Sequence, residues 1–196
     1  MNDQSVRDLP RYSGIAMTLH WLVALLMVCN VLLIWSVDYW PKTWTRPVID
    51  THKSIGITVL GLALLRLLWR IANPPPALPA SYARWERLSS HATHLALYGL
   101  MFALPLSGWL HDSAWKQAAT HPMKLFTFIP WPRIAFIMHL DATTKESLHT
   151  LFSNIHTALA YVLFGLFVLH VAGALKHQWV DKEPELQRML PGKRAK

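Results

Sequence analysis

The sequence predicts an all-α membrane protein, an antiparallel bundle of four transmembrane helices. Two observations carry this prediction. Hydrophobic residues make up 53% of the 196-residue chain and charged residues only 15%, and the apolar residues gather into four long segments. A helix rises about 1.5 Å per residue, so about 20 apolar residues cross a hydrocarbon core of about 30 Å. We therefore predict one transmembrane domain over residues 1–196.

The four predicted helices cover about residues 15–37, 52–71, 91–110 and 147–175. Pro105 lies inside the third segment, where a buried membrane helix tolerates a kink. The longest connection, residues 111–146, is rich in aromatic side chains that suit the membrane interface. With four helices threaded up and down, both termini lie on the same side.

Lysine and arginine residues predict the orientation. Twelve of them lie on the side of the two termini and seven on the other side, which predicts that both termini lie in the cytoplasm. The net charge of +8 does not indicate nucleic-acid binding, because the basic residues flank the apolar segments and form no separate basic domain. The expected surroundings are therefore membrane lipid.

The cysteine content limits the possible cofactors. Cys29 is the single cysteine and lies inside the first apolar segment, so an intrachain disulfide is excluded. The absence of a C-x-x-C-H motif excludes covalent c-type haem. One thiolate is also too few for an iron–sulfur cluster or a structural metal site held by thiolates.

Two histidines mark the last segment as the spine of the bundle. His156 and His170 are 14 positions apart, close to four whole helical turns, so both lie on one helix face about 21 Å apart along the axis. Ionisable side chains inside a membrane are costly and usually functional. We therefore predict two stacked sites on this helix.

Depth in the bundle decides which histidines can meet. The predicted threading puts His20 and His170 near the cytoplasmic edge and His52 and His156 near the periplasmic edge. Two such pairs suit two bis-histidine haems that transfer electrons. The alternatives are histidines that only hydrogen-bond between helices and a haem-free scaffold. A di-metal carboxylate site is excluded, because no Asp or Glu lies at a helix centre.

Several motifs resemble the bacterial cytochrome b561 family. They read RYSGIAMTLHWL, HKSIGITVLGLALLRLLWR before a triple proline, HATHLALYGLMFALPLSGWL, and His156-x13-His170 followed by RMLPG. The resemblance extends from about Arg11 to Gly192. It implies two non-covalent b haems in a four-helix inner-membrane protein, with His20, His52, His156 and His170 as the iron ligands.

The resemblance also suggests an activity. One branch of the family is similar to a superoxide:ubiquinone oxidoreductase, which implies that the protein oxidises periplasmic superoxide to O2 and reduces ubiquinone. The alternative is an electron-transfer anchor subunit that links the quinone pool to a separate periplasmic redox protein. The long aromatic loop could then be the docking surface.

Four further residues receive provisional roles. Arg66 shares a helix face with His52 and is predicted either to bind a haem propionate or to snorkel to the headgroups. His91 and His94 begin the third segment and could contact a propionate or a quinone, or simply lie at the interface. Lys53 adjoins His52 and could steer an anionic substrate, or could be an ordinary solvated loop residue.

The remaining histidines are predicted to be peripheral. His149 and His177 lie at the ends of the fourth segment, where solvated or propionate-facing side chains are usual. His111, His121 and His139 fall in the predicted loop and are expected to be surface residues.

Overall fold

The computed structural model describes residues 11–79 and 81–190 and is almost entirely helical. Its long helices are α1 (Gly14–Trp35), α2 (Lys42–Ala72), α3 (Arg84–Ser113) and α5 (Ala142–Trp179). A two-stranded antiparallel hairpin, β1 (Lys124–Leu125) with β2 (Ile129–Pro130), and the short helix α4 (Ala135–Met138) lie between α3 and α5. Helix α6 (Glu185–Met189) follows α5. The predicted all-α fold class is confirmed.

The four long helices have the composition and exposure of membrane spans. Among the described residues, each is long and apolar enough to cross a bilayer, and at most 17% of its most apolar window is buried inside the protein. Large apolar side chains such as Leu25 (61% exposed) and Leu95 (76%) point outward. Apolar surface on this scale suits contact with lipid, and the protein is a multi-pass membrane protein.

The helices pack in chain order. α1 packs on α2, α2 on α3, and α3 on α5, so neighbours in sequence are neighbours in space. Val23 of α1, Val59 and Ala63 of α2, and Met101 of α3 form a buried cluster at the centre. We call the end of the bundle at Trp35, Lys42, Ser113 and Ala142 the loop end. The opposite end, at Gly14, Ala72, Arg84 and Trp179, is the tail end.

Three helices extend beyond their predicted ends. α2 begins ten residues before the predicted position 52, in a polar stretch where Asp50 pairs with Arg46 and Lys53 one turn away on either side. α3 begins at residue 84, where Glu86 accepts a hydrogen bond from the Ala83 N–H. Hydrophobicity marks the membrane-embedded part of a helix, whereas ion pairs and caps set its ends.

The same effect shortens the predicted loop 111–146. α3 continues to residue 113, and α5 begins at residue 142, where the Asp141 side chain accepts a hydrogen bond from the Thr144 N–H. The connection is therefore residues 114–141. It is folded rather than open, since Met123 and Leu125 pack with Ile57 of α2 in a second apolar cluster.

The tail end is closed by the C-terminal segment. The Trp21 indole donates to the Met189 carbonyl (2.7 Å), and the Tyr82 hydroxyl donates to the Glu185 carboxylate (2.8 Å). Arg188 is buried and donates to the Ala77 carbonyl and to Glu185. These contacts tie α1, the α2–α3 connection and α6 together.

Candidate functional site

Histidines repeat every seven residues along α5. His149, His156, His170 and His177 occupy this repeat, with the buried Leu163 in the middle position. Seven residues are close to two turns, so these side chains share one face. The structure places a histidine from another helix against His149, His156 and His170, and Tyr82 of the α2–α3 connection against His177.

At the loop end, His52 of α2 faces His156 of α5. Their ring centroids are 6.1 Å apart and the ring planes are nearly perpendicular, at 85°. Imidazole nitrogens bind transition metals at about 2 Å, so two rings on opposite sides of one ion have centroids roughly 6.3 Å apart. The spacing of this pair therefore fits two histidines that would together hold one metal ion.

Hydrogen bonds fix the orientation of both rings. His52 Nδ1 lies 3.3 Å from the Asn30 carbonyl, and His156 Nδ1 lies 3.1 Å from the Leu104 carbonyl and 3.0 Å from Ser107 Oγ. An Nδ1–H that donates to a carbonyl leaves the lone pair on Nε2, which is the usual arrangement of a metal-binding histidine. At the loop end, Nε2 of His52 and Nε2 of His156 therefore each have a lone pair that can bind a metal.

Gly108 makes room for His156. A methyl group at Gly108 would lie 3.2 Å from His156 Cε1 and 3.4 Å from Nδ1. The imidazole thus rests directly on the backbone of α3, next to its hydrogen bond with Ser107 Oγ. Gly99 and Gly165 have no such neighbour within 4 Å.

At the tail end, three histidines converge. His20 of α1 lies 6.2 Å from His170 between ring centroids, and His94 of α3 lies 5.3 Å from His170. The first distance matches two rings that share one metal, and the second is too short for that arrangement. The donor set fits a second bis-histidine site made by His20 and His170, with His94 beside it.

Arg66 reaches this tail-end group. Its Nη2 lies 2.9 Å from His20 Nδ1, and its guanidinium lies over the Tyr98 ring at 5.2 Å. Arginine only donates, so His20 Nδ1 accepts here, and the proton of a neutral ring is on Nε2. This is the opposite tautomer to that of His52 and His156. Metal binding through His20 Nε2 therefore requires Arg66 to leave Nδ1.

His91 does not share in the site. It is exposed, and its Nδ1 lies 2.6 Å from the Arg87 carbonyl one turn earlier in α3. Of the two histidines in the H-x-x-H motif, only His94 lies against the histidine stripe of α5.

Lys53 belongs to an ion-pair network at the loop end. Its Nζ lies 2.6 Å from Asp112 Oδ1 and 3.1 Å from Asp50 Oδ1. Arg133 Nε donates to the other oxygen of Asp112 at 2.8 Å. Asp112 and Arg133 are only 6% and 5% exposed, so the network fastens the 114–141 connection onto α2 and α3. The charge of Lys53 is therefore largely balanced by carboxylates.

A histidine pair that the sequence did not predict lies nearby. His111, expected on the loop surface, is in α3, and its Nε2 lies 3.1 Å from Nε2 of His149. His149 Nδ1 lies 3.1 Å from the His111 carbonyl. The signal in the sequence was the seven-residue spacing of His149 and His156, which puts both on the same face.

At the tail end, His177 stacks on Tyr82 with centroids 4.1 Å apart.

Comparison with known proteins finds relatives over almost the whole chain. The prokaryotic cytochrome b561 family matches residues 11–192. The chain is 34% identical to cytochrome b561 homolog 2 of Escherichia coli K12 over 182 residues, which cover 92% of this chain and 91% of the relative. It is 30% identical to a protein of Yersinia pestis named probable superoxide oxidase CybB, over 94% of this chain and 98% of that protein.

Proposed function

The chain belongs to the prokaryotic cytochrome b561 family, and from that premise we propose that it carries two haem b groups and passes electrons from superoxide to ubiquinone. It is a membrane electron carrier of a family of b-type cytochromes. The proposed iron ligands are His52 and His156 at the loop end and His20 and His170 at the tail end. The two ring spacings, 6.1 Å and 6.2 Å, are the observation that carries the proposal.

Bound haem b supplies a one-electron couple, and two imidazole ligands leave no open iron position for oxygen chemistry. The chain's own residues keep the two sites apart. His156 and His170 are 14 residues apart on α5, about 21 Å along the helix axis. One site therefore lies near each end of the bundle.

The proposed orientation puts the loop end in the periplasm and both termini in the cytoplasm of a bacterial inner membrane. The support is the excess of lysine and arginine on the side of the termini. Superoxide would then be oxidised at the loop end. Two superoxide anions each lose one electron and become O2, and one ubiquinone gains two electrons and two protons to become ubiquinol.

Lys53 is proposed to help attract the anion as part of its network. Three cations (Arg46, Lys53 and Arg133) share two carboxylates there, so the network is positive by one charge. The rate of superoxide oxidation should fall as ionic strength rises, because screening weakens steering. A rate that is indifferent to salt and to Lys53→Gln would argue against a steered anion.

Quinone reduction is proposed at the tail end. His94 lies beside His170, and a small cavity lined by Arg66, Trp69 and Tyr98 opens near it. Imidazole and guanidinium groups can donate to quinone oxygens, and His94 can deliver a proton. Arg66 is proposed to pair with a haem propionate once it leaves His20. His91 is exposed and remains a weaker candidate for either role.

Stopped-flow mixing of the purified, haem-loaded protein with superoxide tests the activity. We expect rapid haem reduction by superoxide alone and reoxidation when ubiquinone is added. The alternative function is that of an electron-transfer anchor subunit. It is favoured by exposed aromatic side chains on the connection, namely Phe128 (71%) and Phe136 (75%). Slow reduction by superoxide, with fast reduction by a periplasmic redox protein, would support that alternative.

A further inference from the structure

One buried serine lies next to a proposed haem ligand. Ser107 of α3 is only 5% exposed, and its Oγ lies 3.0 Å from Nδ1 of His156. The same oxygen lies 2.9 Å from the carbonyl of Leu104, three residues earlier in the helix. Given the haem ligation proposed above, on which this inference rests, we propose that Ser107 is a positioning residue. It accepts the Nδ1 proton of His156 and thereby lowers the midpoint potential of the loop-end haem.

The polar atoms around His156 allow one arrangement of protons. The Leu104 carbonyl can only accept, and it lies 3.1 Å from His156 Nδ1, so the proton of the neutral ring is on Nδ1. The Ser107 hydroxyl donates its own proton to the same carbonyl. Its oxygen therefore accepts from His156, and the Nδ1 proton is shared between two oxygens.

An acceptor at Nδ1 changes how strongly the imidazole donates to a metal. It draws the proton away from the ring, so more electron density stays on Nε2. Donation to Leu104 also makes the Ser107 oxygen a better acceptor, because linked hydrogen bonds polarise one another. An electron-rich ligand stabilises ferric iron more than ferrous iron, since the ferric ion has the higher charge. Loss of the Ser107 hydroxyl should therefore raise the potential.

The other proposed ligands have different surroundings. The Nδ1 of His52 lies 3.3 Å from the Asn30 carbonyl, a longer contact than either of those at His156. The Nδ1 of His20 lies next to the guanidinium of Arg66, which only donates. A change at Ser107 should therefore act on the loop-end haem and leave the tail-end haem as it is.

A redox titration of the haem-loaded protein tests the proposal. The loop-end component is identified as the one that disappears in His156→Ala. In Ser107→Ala, the preference of this component for the ferric form should fall about threefold, which is a rise of about 30 mV in midpoint potential. The variant should keep two haems and an unchanged tail-end potential. A loop-end potential that stays the same or falls would overturn the proposal.

The direction of the shift separates an electronic role from a structural one. A loosened ring would admit water, which stabilises the more highly charged ferric form and lowers the potential. Ser107→Thr keeps a hydroxyl that can bond the carbonyl three residues earlier in a helix, so it should restore the wild-type potential. A loop-end potential in Ser107→Thr equal to that in Ser107→Ala would argue against the hydroxyl.

Ser113 offers a matched control on the same helix. It is fully buried (0% exposed), and its hydroxyl donates to the Trp109 carbonyl and accepts from the Ile134 N–H. It thus has the same two roles toward backbone groups and none toward a histidine. Ser113→Ala should leave both potentials unchanged, and equal rises in Ser107→Ala and Ser113→Ala would overturn the role of Ser107.

Failure of this inference and failure of the haem assignment give different results. Two haems in His156→Ala would refute the ligation itself. A loop-end potential that needs His156 but is indifferent to the Ser107 hydroxyl would refute only the role of Ser107. If Ser107→Ala loses the loop-end haem, Ser107→Cys replaces it, because a thiol accepts hydrogen bonds only weakly. A rise is expected there too, and its absence would overturn the proposal.

Discussion

Replacing Gly108 with alanine puts a methyl group against the imidazole of His156. The new carbon would lie 3.2 Å from Cε1, whereas carbon atoms pack best at about 3.5–4.0 Å. The ring must therefore retreat by roughly 0.3 Å or more, and metal–ligand distances are held within about 0.2 Å. The Nδ1 contacts to Leu104 and Ser107 move with the ring. Disturbing such supporting contacts weakens metal binding by about 10- to 100-fold.

The expected result is selective loss of the loop-end haem. The haem content measured by a pyridine haemochromogen assay should fall from two per chain toward one. A redox titration should lose one of its two components. Gly99→Ala and Gly165→Ala are matched controls, because nothing lies within 4 Å of the added methyl group. Alanine in place of glycine stabilises a helix by about 0.5–1 kcal/mol, so general unfolding is not the expected cause. Two haems with unchanged potentials in Gly108→Ala would refute the placement of His156.

Three further predictions concern charged groups. Arg66→Leu removes a cation from the tail-end haem site, so the tail-end midpoint potential should fall in a redox titration, with Arg70→Leu as the control; no change would count against a role for Arg66 at the haem. Asp112→Asn leaves Lys53 and Arg133 without their shared carboxylate and should cost about 3–5 kcal/mol in thermal unfolding. Asp50 is half-exposed, so Asp50→Asn should lower the free energy of unfolding by about 1 kcal/mol or less. Equal losses in Asp112→Asn and Asp50→Asn would contradict the buried network. Lys176, with His177, hydrogen-bonds Asp181 and lowers its pKa. The contribution of Asp181 to folding stability is therefore complete above its unfolded pKa of about 3.9. It is lost as the pH falls through the lower pKa of the folded state. Limited proteolysis near residue 181 should increase only below about pH 4, and Asp181→Asn should remove that acid step.

The helix content and the histidine pairs could be predicted because both follow from periodicity. A helix in a membrane needs about 20 apolar residues, and a 14-residue spacing fixes the shared face of His156 and His170. The threading of four helices then put His20 and His52 at matching depths. In the structure, the ring centroids of His20 and His170 are 6.2 Å apart, and those of His52 and His156 are 6.1 Å apart.

Contacts between distant polar residues could not be predicted in the same way. The sequence predicts a solvated or steering role for Lys53, because its partner Asp112 lies 59 positions away on another helix. The sequence predicts a loop at His111, because the apolar stretch ends before it, whereas α3 continues to residue 113. Arg66 contacts His20, although the two residues are 46 positions apart in the sequence. Such pairings depend on how the helices rotate against each other, which hydrophobicity does not specify.

Haem stoichiometry in four single variants tests the central claim most directly. We predict that His20→Ala, His52→Ala, His156→Ala and His170→Ala each reduce the purified protein from two haems per chain to about one. His52→Ala and His156→Ala should both retain the spectrum of the tail-end haem. His20→Ala and His170→Ala should both retain the spectrum of the loop-end haem. Two haems per chain in any of these variants, or a different grouping of the spectra, would contradict the assignment of the two iron sites.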